Sequence, residues 1–321
     1  MIICSELASP TRPSGRRSAP IGPHRTAVPL SKTDSTALEP GLKGSDEKYP
    51  PADKVRREED ATLADASAPT DSRVRGRSPK TGTVSLARLF ERYRSGHERH
   101  PTESLRIIQG ERSGKLDRED VLRALRSRDR RRRLEVESAH FSVHLAEYLR
   151  DLYPESKFIC TVRAPASWLR SIIDQCINKP RRQLPRPWKK IHDLAFGPPP
   201  DEYPAHEKCL GRYGLRSLDQ YLGYWRWHNE QILDTIPKDR RLFVRTANLS
   251  SRLSDIASFL EVPVAHLRHA HSHRTSEKHG VLQRIDRNYV LEKIRDNCKR
   301  VVERLNREAS VSIEPADDGT L

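Results

Sequence analysis

The chain has 321 residues, of which 35% are hydrophobic, and a formal net charge of +15 at pH 7. That length suits one α/β domain with extra segments or two small domains, and the modest apolar fraction excludes a chain packed throughout. Residues 1–72 carry 10 Lys and Arg against 11 Asp and Glu, so the basic excess of 49 against 33 belongs to the remainder and calls for an anionic partner.

Residues 1–72 hold nine of the 23 prolines among Ser, Thr and Gly. Such a composition cannot bury enough apolar surface to offset its ordering entropy, and it reads as a disordered or low-complexity tail. Residues 73–310 read as one α/β domain and 311–321 as a polar C-terminal tail. The start, MIICSELASP, lacks the basic and apolar regions of a signal peptide, and no run reaches the length of a membrane span. Cys4, Cys160, Cys176, Cys209 and Cys298 show neither metal-type spacing nor a paired framework, which fits a reducing compartment. The expectation is a soluble cytoplasmic protein.

Helical periodicity begins at Leu86, Leu89, Phe90 and Tyr93. A second helix starts near Asp117, a suitable N-cap, with Val121, Leu122 and Leu125 inward. Arg128 to Arg133 contains five arginines and reads as a solvated helix end, since a nucleic-acid patch would interleave aromatics. Leu134 to Ser138 alternate as a short strand. A helix with Leu145, Tyr148, Leu149 and Leu152 stops at Pro154. Lys157 to Arg163 is the clearest strand, with the continuous apolar centre of a strand covered on both faces. Pro165 suits the first turn of a helix that buries Trp168, Leu169, Ile172, Ile173 and Cys176. Residues 178–215, rich in Pro and basic from Lys179 to Lys190, read as a long excursion forming a lid or acceptor loop. A helix with Leu218, Tyr221, Leu222, Trp225 and Ile232 follows; Trp225 fits its core stripe, while Trp227 lies off it. A strand from Arg241 to Thr246, a helix with Leu253, Ile256, Ala257 and Leu260, and a last helix from about Ile285 to Leu305 complete the chain. The alternation argues for a parallel sheet flanked by helices.

One segment carries phosphate chemistry. Ser78-Pro79-Lys80-Thr81-Gly82-Thr83-Val84-Ser85-Leu86 leads into an amphipathic helix, so its backbone N–H groups can meet an anion at the positive end of the helix dipole. Gly82 admits close backbone approach, Lys80 adds a point charge, and Thr83 and Ser85 add hydroxyls. This is not a Walker A box, in which the Lys follows the second Gly. The strand expected before it reads Ser72-Arg73-Val74-Arg75-Gly76-Arg77, with one apolar residue.

Pro79 through Leu86 resembles the 5′-phosphosulfate loop of the sulfotransferases that use 3′-phosphoadenosine 5′-phosphosulfate (PAPS), with Val84 where a second Thr is frequent. A second match lies in Phe158 to Ser171, where a strand ends in Arg163 and Ser171 follows eight positions on within a helix. In that family both groups hold the 3′-phosphate, Arg by paired hydrogen bonds at the carboxyl end of a parallel strand. A third echo is the basic, Gly-containing stretch His273 to Gly280, in which Lys278 and Gly280, with Arg274 in support, would cover the same phosphate.

The resemblance implies a P-loop-type three-layer sandwich with a central, mostly parallel sheet. It implies sulfuryl transfer from PAPS to a hydroxyl or amine acceptor, small-molecule or carbohydrate, without a metal. Lys80 would oppose charge on the leaving phosphate. For the base, cytosolic members place a His after a strand some twenty residues before the Arg, and His140 stands 23 before Arg163. Imidazole titrates near neutral pH, which makes His140 the first candidate. Other branches use a Glu after the loop, so Glu98 or the adjacent His97 comes second and Glu137 third. Two other classes stay open: a basic anion- or nucleic-acid-binding protein that kept the fold without catalysis, and a nucleotide kinase-like phosphotransferase. The latter lacks its Walker-type Lys here.

Overall fold

The computed structural model describes residues 2–4, 83–269 and 277–314. A five-stranded sheet forms the centre, in the order β2-β3-β1-β4-β5. Its strands are β1 (Ile2–Cys4), β2 (Ser95–His97), β3 (Val136–Ser138), β4 (Lys157–Val162) and β5 (Arg241–Arg245). β2 pairs with β3 in parallel, as β4 does with β5, whereas β1 runs antiparallel between β3 and β4. Four strands therefore share one direction and present their carboxyl ends along one edge, where open α/β sheets bind ligands.

The place of β1 differs from the sequence reading, which put residues 1–72 in a tail and sought the missing strand at 72–77. Ile2-Ile3-Cys4 is a short apolar run with strong strand formers, and three paired residues on each side take up the backbone donors between β3 and β4. Residues 72–77 lie outside the described residues.

Helices cover both faces. α1 (Thr83–Leu89) and α9 (Leu253–Leu260) lie on one side, where Leu86, Leu89 and Phe90 meet Val136, Ile159, Val244 and Ile256. The other side is thicker. It holds α2 (Pro101–Arg112), α3 (Arg118–Arg132), α4 (Ala146–Leu152), α5 (Pro165–Asn178), α6 (Arg186–Phe196), the single turn α7 (Lys208–Gly211), α8 (Leu218–Thr235) and α10 (Arg287–Glu308). The pleat of β4 divides its side chains accordingly: Phe158, Cys160 and Val162 join the thick layer and Ile159 the thin one. The result is the expected α/β sandwich of three layers.

Local chemistry explains most boundaries. Asp117 caps α3 by accepting from the backbone N–H of Asp120 at 2.8 Å. Ser217 and Gln220 close a reciprocal capping box at the start of α8. α10 sets Val290, Ile294, Cys298, Val301, Val302 and Leu305 inward at helical spacing.

Residues 178–215, the expected lid or acceptor excursion, contain α6 and α7. α6 turns Ile191 and Phe196 into the core and leaves Arg186 and Lys190 exposed. One expectation is corrected: the arginines at the end of α3 are not all solvated. Arg128 is 0% exposed; it donates to Asp129 at 2.6 Å, Ser104 at 3.2 Å and Glu137 at 2.8 Å. A buried guanidinium is tolerable when carboxylates and a hydroxyl meet its donors.

Candidate active site

The carboxyl edge of β2, β3 and β4 gathers the titratable groups. Glu98 follows β2 directly, with its backbone at φ 50°. This left-handed conformation costs an L-residue roughly 1–2 kcal/mol. The Glu98 N–H, donating to the carbonyl of Ser138 at 2.9 Å, helps to hold it. Two residues past β3, His140 opens a 3₁₀ turn (His140–Leu145), and its Nδ1 lies 2.9 Å from Glu98 Oε1. Both side chains are buried, at 2% exposure each. Among the described residues Glu98 Oε2 has no hydrogen-bond partner, and His97 Nε2 stands 3.7 Å away.

Burial dominates the titration of this pair. It pushes the Glu98 carboxyl up to about 8, against a smaller opposing pull from His97. It pushes His140 down to about 3. Both directions disfavour a charge-separated pair, so at neutral pH the imidazole is neutral. His97 is also lowered by burial, and the nearby Glu98 offsets this in part.

The start of α1 docks on this edge. Ser138 Oγ donates to the Thr83 carbonyl at 2.8 Å, and Thr83 Oγ1 lies 3.0 Å from His97 Nε2. Thr83 and Ser85 are buried, and Val84 is half-buried. Pro79, Lys80, Thr81 and Gly82 lie outside the described residues.

On the other side of β1, Arg163 follows β4 at the same edge. Its carbonyl accepts from Trp225 Nε1 at 3.1 Å, which ties α8 to the strand end. Ser171 lies within α5 on the stripe that continues, three and seven residues on, through Asp174 and Asn178. That stripe binds the loop ahead of α10. The His279 N–H donates to Asp174 Oδ1 at 3.0 Å, and Asn178 Nδ2 donates to the Glu277 carbonyl at 3.0 Å. Lys278 and Gly280, the latter at φ 60°, thus stand beside the helix that carries Ser171. His273, Arg274 and the rest of 270–276 lie outside the described residues.

Glu137 is drawn into the network already described. Its oxygens accept from Arg128 and Arg132 at 2.8 Å each. A carboxylate that accepts from two guanidiniums has little left to offer an acceptor's proton.

Sequence reasoning missed the cover over the pair. Trp188 of α6 lies nearly parallel to His140, with ring centroids 6.4 Å apart and planes at 17°, and Phe141 packs edge-on to both. Alternation of Trp188 and Ile191 with basic residues was the available signal. Trp227, which lay off the core stripe of α8, stacks on His144 with centroids 4.5 Å apart.

Residues 78–278, more than half of the chain, match a family described as a sulfotransferase domain. No curated protein and no solved structure matches it.

Proposed function

Because this chain belongs to the sulfotransferase domain family, we propose that it transfers a sulfuryl group from PAPS to a hydroxyl acceptor, with Glu98 as the base and His140 as its positioning partner. The supporting observation is the buried contact of 2.9 Å between these side chains, on the edge where α1 begins and Arg163 follows β4. The PAPS donor is consistent with the family and with the motif around Lys80 and Gly82.

A base works best when its proton affinity lies near the working pH. Burial brings the Glu98 carboxyl to about 8, while His140, near 3, holds a proton too weakly. In the ionised state Glu98 Oε1 accepts from Nδ1–H of His140, and Oε2, which lacks a partner among the described residues, takes the acceptor's proton. As that proton leaves, the acceptor oxygen bonds to sulfur and the bond from sulfur to the bridging phosphate oxygen breaks. The backbone N–H groups from Lys80 to Ser85, with the Lys80 side chain, would hold the phosphosulfate and neutralise the leaving oxygen. Arg163 and Ser171, with Lys278 and Gly280 alongside, would hold the 3′-phosphate.

Calorimetry with adenosine 3′,5′-bisphosphate, the product nucleotide, tests this reading. Binding that falls at least tenfold in Arg163→Ala and Lys80→Ala supports it. No binding in the wild type, with duplex DNA bound instead, favours a nucleic-acid-binding role on the same fold.

A further inference from the structure

The stripe of α5 that carries Ser171 runs on through two residues that hold the loop ahead of α10. Asp174 is 5% exposed and accepts from the backbone N–H of His279 at 3.0 Å. Asn178 uses both ends of its amide: Nδ2 donates to the Glu277 carbonyl, and Oδ1 lies 3.0 Å from His279 Nε2. Because Oδ1 can only accept, Nε2 carries the proton in this contact. Downstream, Gly280 at φ 60° turns the chain, and Val281 and Leu282 enter the core at 1% and 2% exposure. Residues 277–280 are therefore pinned from both sides.

Polar surface loops are ordinarily among the more mobile parts of a fold. Here a carboxylate has been taken out of water, and a backbone N–H of the loop answers it. What the latch presents is Lys278, exposed between the two clamped residues Glu277 and His279. Ser171 is half-buried one turn earlier on the same face of α5, about 4.5 Å of helical rise before Asp174. A lysine is a point charge on a flexible stem. Fixing its backbone removes part of the entropy that ordering it around an anion would cost.

We propose that Asp174 and Asn178 are positioning residues that hold Lys278 and Gly280 beside Ser171, and that through this hold the protein distinguishes a nucleotide bearing a 3′-phosphate from one without it. The inference rests on the sulfotransferase reading, which gives Arg163, Ser171, Lys278 and Gly280 to that phosphate. Neither positioning residue touches the nucleotide. A carboxylate at close range would repel a phosphate, so Asp174 acts through the loop it holds. The 5′ side of the nucleotide belongs to the segment before α1 and is independent of the latch.

Titration calorimetry on the full chain compares adenosine 3′,5′-bisphosphate with adenosine 5′-phosphate, and the quantity read is the ratio of their dissociation constants. The wild type should prefer the bisphosphate at least about tenfold. Asp174→Ala and Asn178→Ala should each lower that ratio about fivefold or more, with affinity for the 5′-phosphate unchanged within about twofold. Asn178 is half-buried at the last position of α5, so its variant opens no cavity in the core. Asp174→Asn keeps an acceptor and should hold the ratio within about threefold. Lys278→Ala should also lower the ratio, and adding Asp174→Ala to it should then do less than Asp174→Ala does alone, because the latch has lost what it positions. An unchanged ratio in both alanine variants overturns the proposal, as do equal losses for the two nucleotides, additive effects in the double variant, or a loss in Asp174→Asn as large as in Asp174→Ala. A wild type that binds both nucleotides equally also overturns it. A wild type that binds neither overturns the sulfotransferase reading instead.

Discussion

Arg128 and Arg132, near the end of α3, meet Glu137 of β3 through hydrogen bonds of 2.8 Å each, whereas Glu98 and His140 face one another across 2.9 Å with no Lys or Arg of the described residues paired to either. Both clusters remove ionisable groups from water, and both depend on β3 or the residue pair that follows it. In the first, each group has an opposite partner, which offsets the cost of taking it out of water, and the groups act as struts. In the second the described residues supply no Lys or Arg partner, and burial moves the proton affinities instead. Proton chemistry is to be expected where buried groups are left short of partners, not merely where they cluster.

The sharpest way to break this contrast is Glu98→Gln, which keeps shape and removes the basic oxygen. Sulfate transfer should fall about 10²- to 10⁴-fold with little change in the thermal midpoint. Activity retained within threefold would place the base elsewhere. For the arginine cluster the effect should reverse, with stability lost. Arg128→Ala leaves Glu137 and Asp129 short of a buried partner and should cost about 3–5 kcal/mol in urea unfolding.

The pair should also write itself into the pH dependence of stability. Glu98 has a folded pKa near 8, raised from 4.5, so the folded state holds its proton more tightly and stability falls as pH rises between those values. His140, lowered from 6.5 to about 3, acts oppositely, and stability rises with pH over that window. The two slopes cancel between about 4.5 and 6.5. From 6.5 to 8 Glu98 acts alone, and about 2 kcal/mol should be lost at ~1.4 kcal/mol per pH unit. Chemical denaturation across that range should show the decline in the wild type and not in Glu98→Gln. Activity should rise through the same window as Glu98 ionises.

The smallest effect serves as a control. Ser217→Ala removes the side-chain cap of α8 and should cost about 1 kcal/mol in the same unfolding measurement. The pH decline should persist; its disappearance would mean that general destabilisation, not Glu98, produces it.

Elements with strong local signals were legible in the sequence. β4 is a continuous apolar run, α3 and α8 have side-chain caps, and α8, α9 and α10 keep their apolar residues at helical spacing. β2 was not, because Ser95-Gly96-His97 contains no strand former. A Cβ at Gly96 would come within 2.7 Å of the Leu134 side chain, which would have to shift. α2 also escaped notice, although Pro101 and the residues Leu105 and Ile108 mark it. Within the site, the types of Glu98 and His140 could be read in advance, but their contact joins residues 42 positions apart. Which of the two holds the proton depends on burial, which no local pattern encodes. The same holds for Arg128, whose neighbours in sequence suggest solvent while its neighbours in space are carboxylates.

The recognisable sequence and the cooperative unit end at different places. The family match stops at residue 278, yet α10 begins at Arg287 and lays six buried side chains largely against α8. A fragment trimmed to the match would uncover the back of that helix and forfeit on the order of 10 kcal/mol of apolar burial. Shortened versions for crystallisation or display should therefore keep everything through Ile313, whose backbone is clamped at both N–H and carbonyl by Asn306.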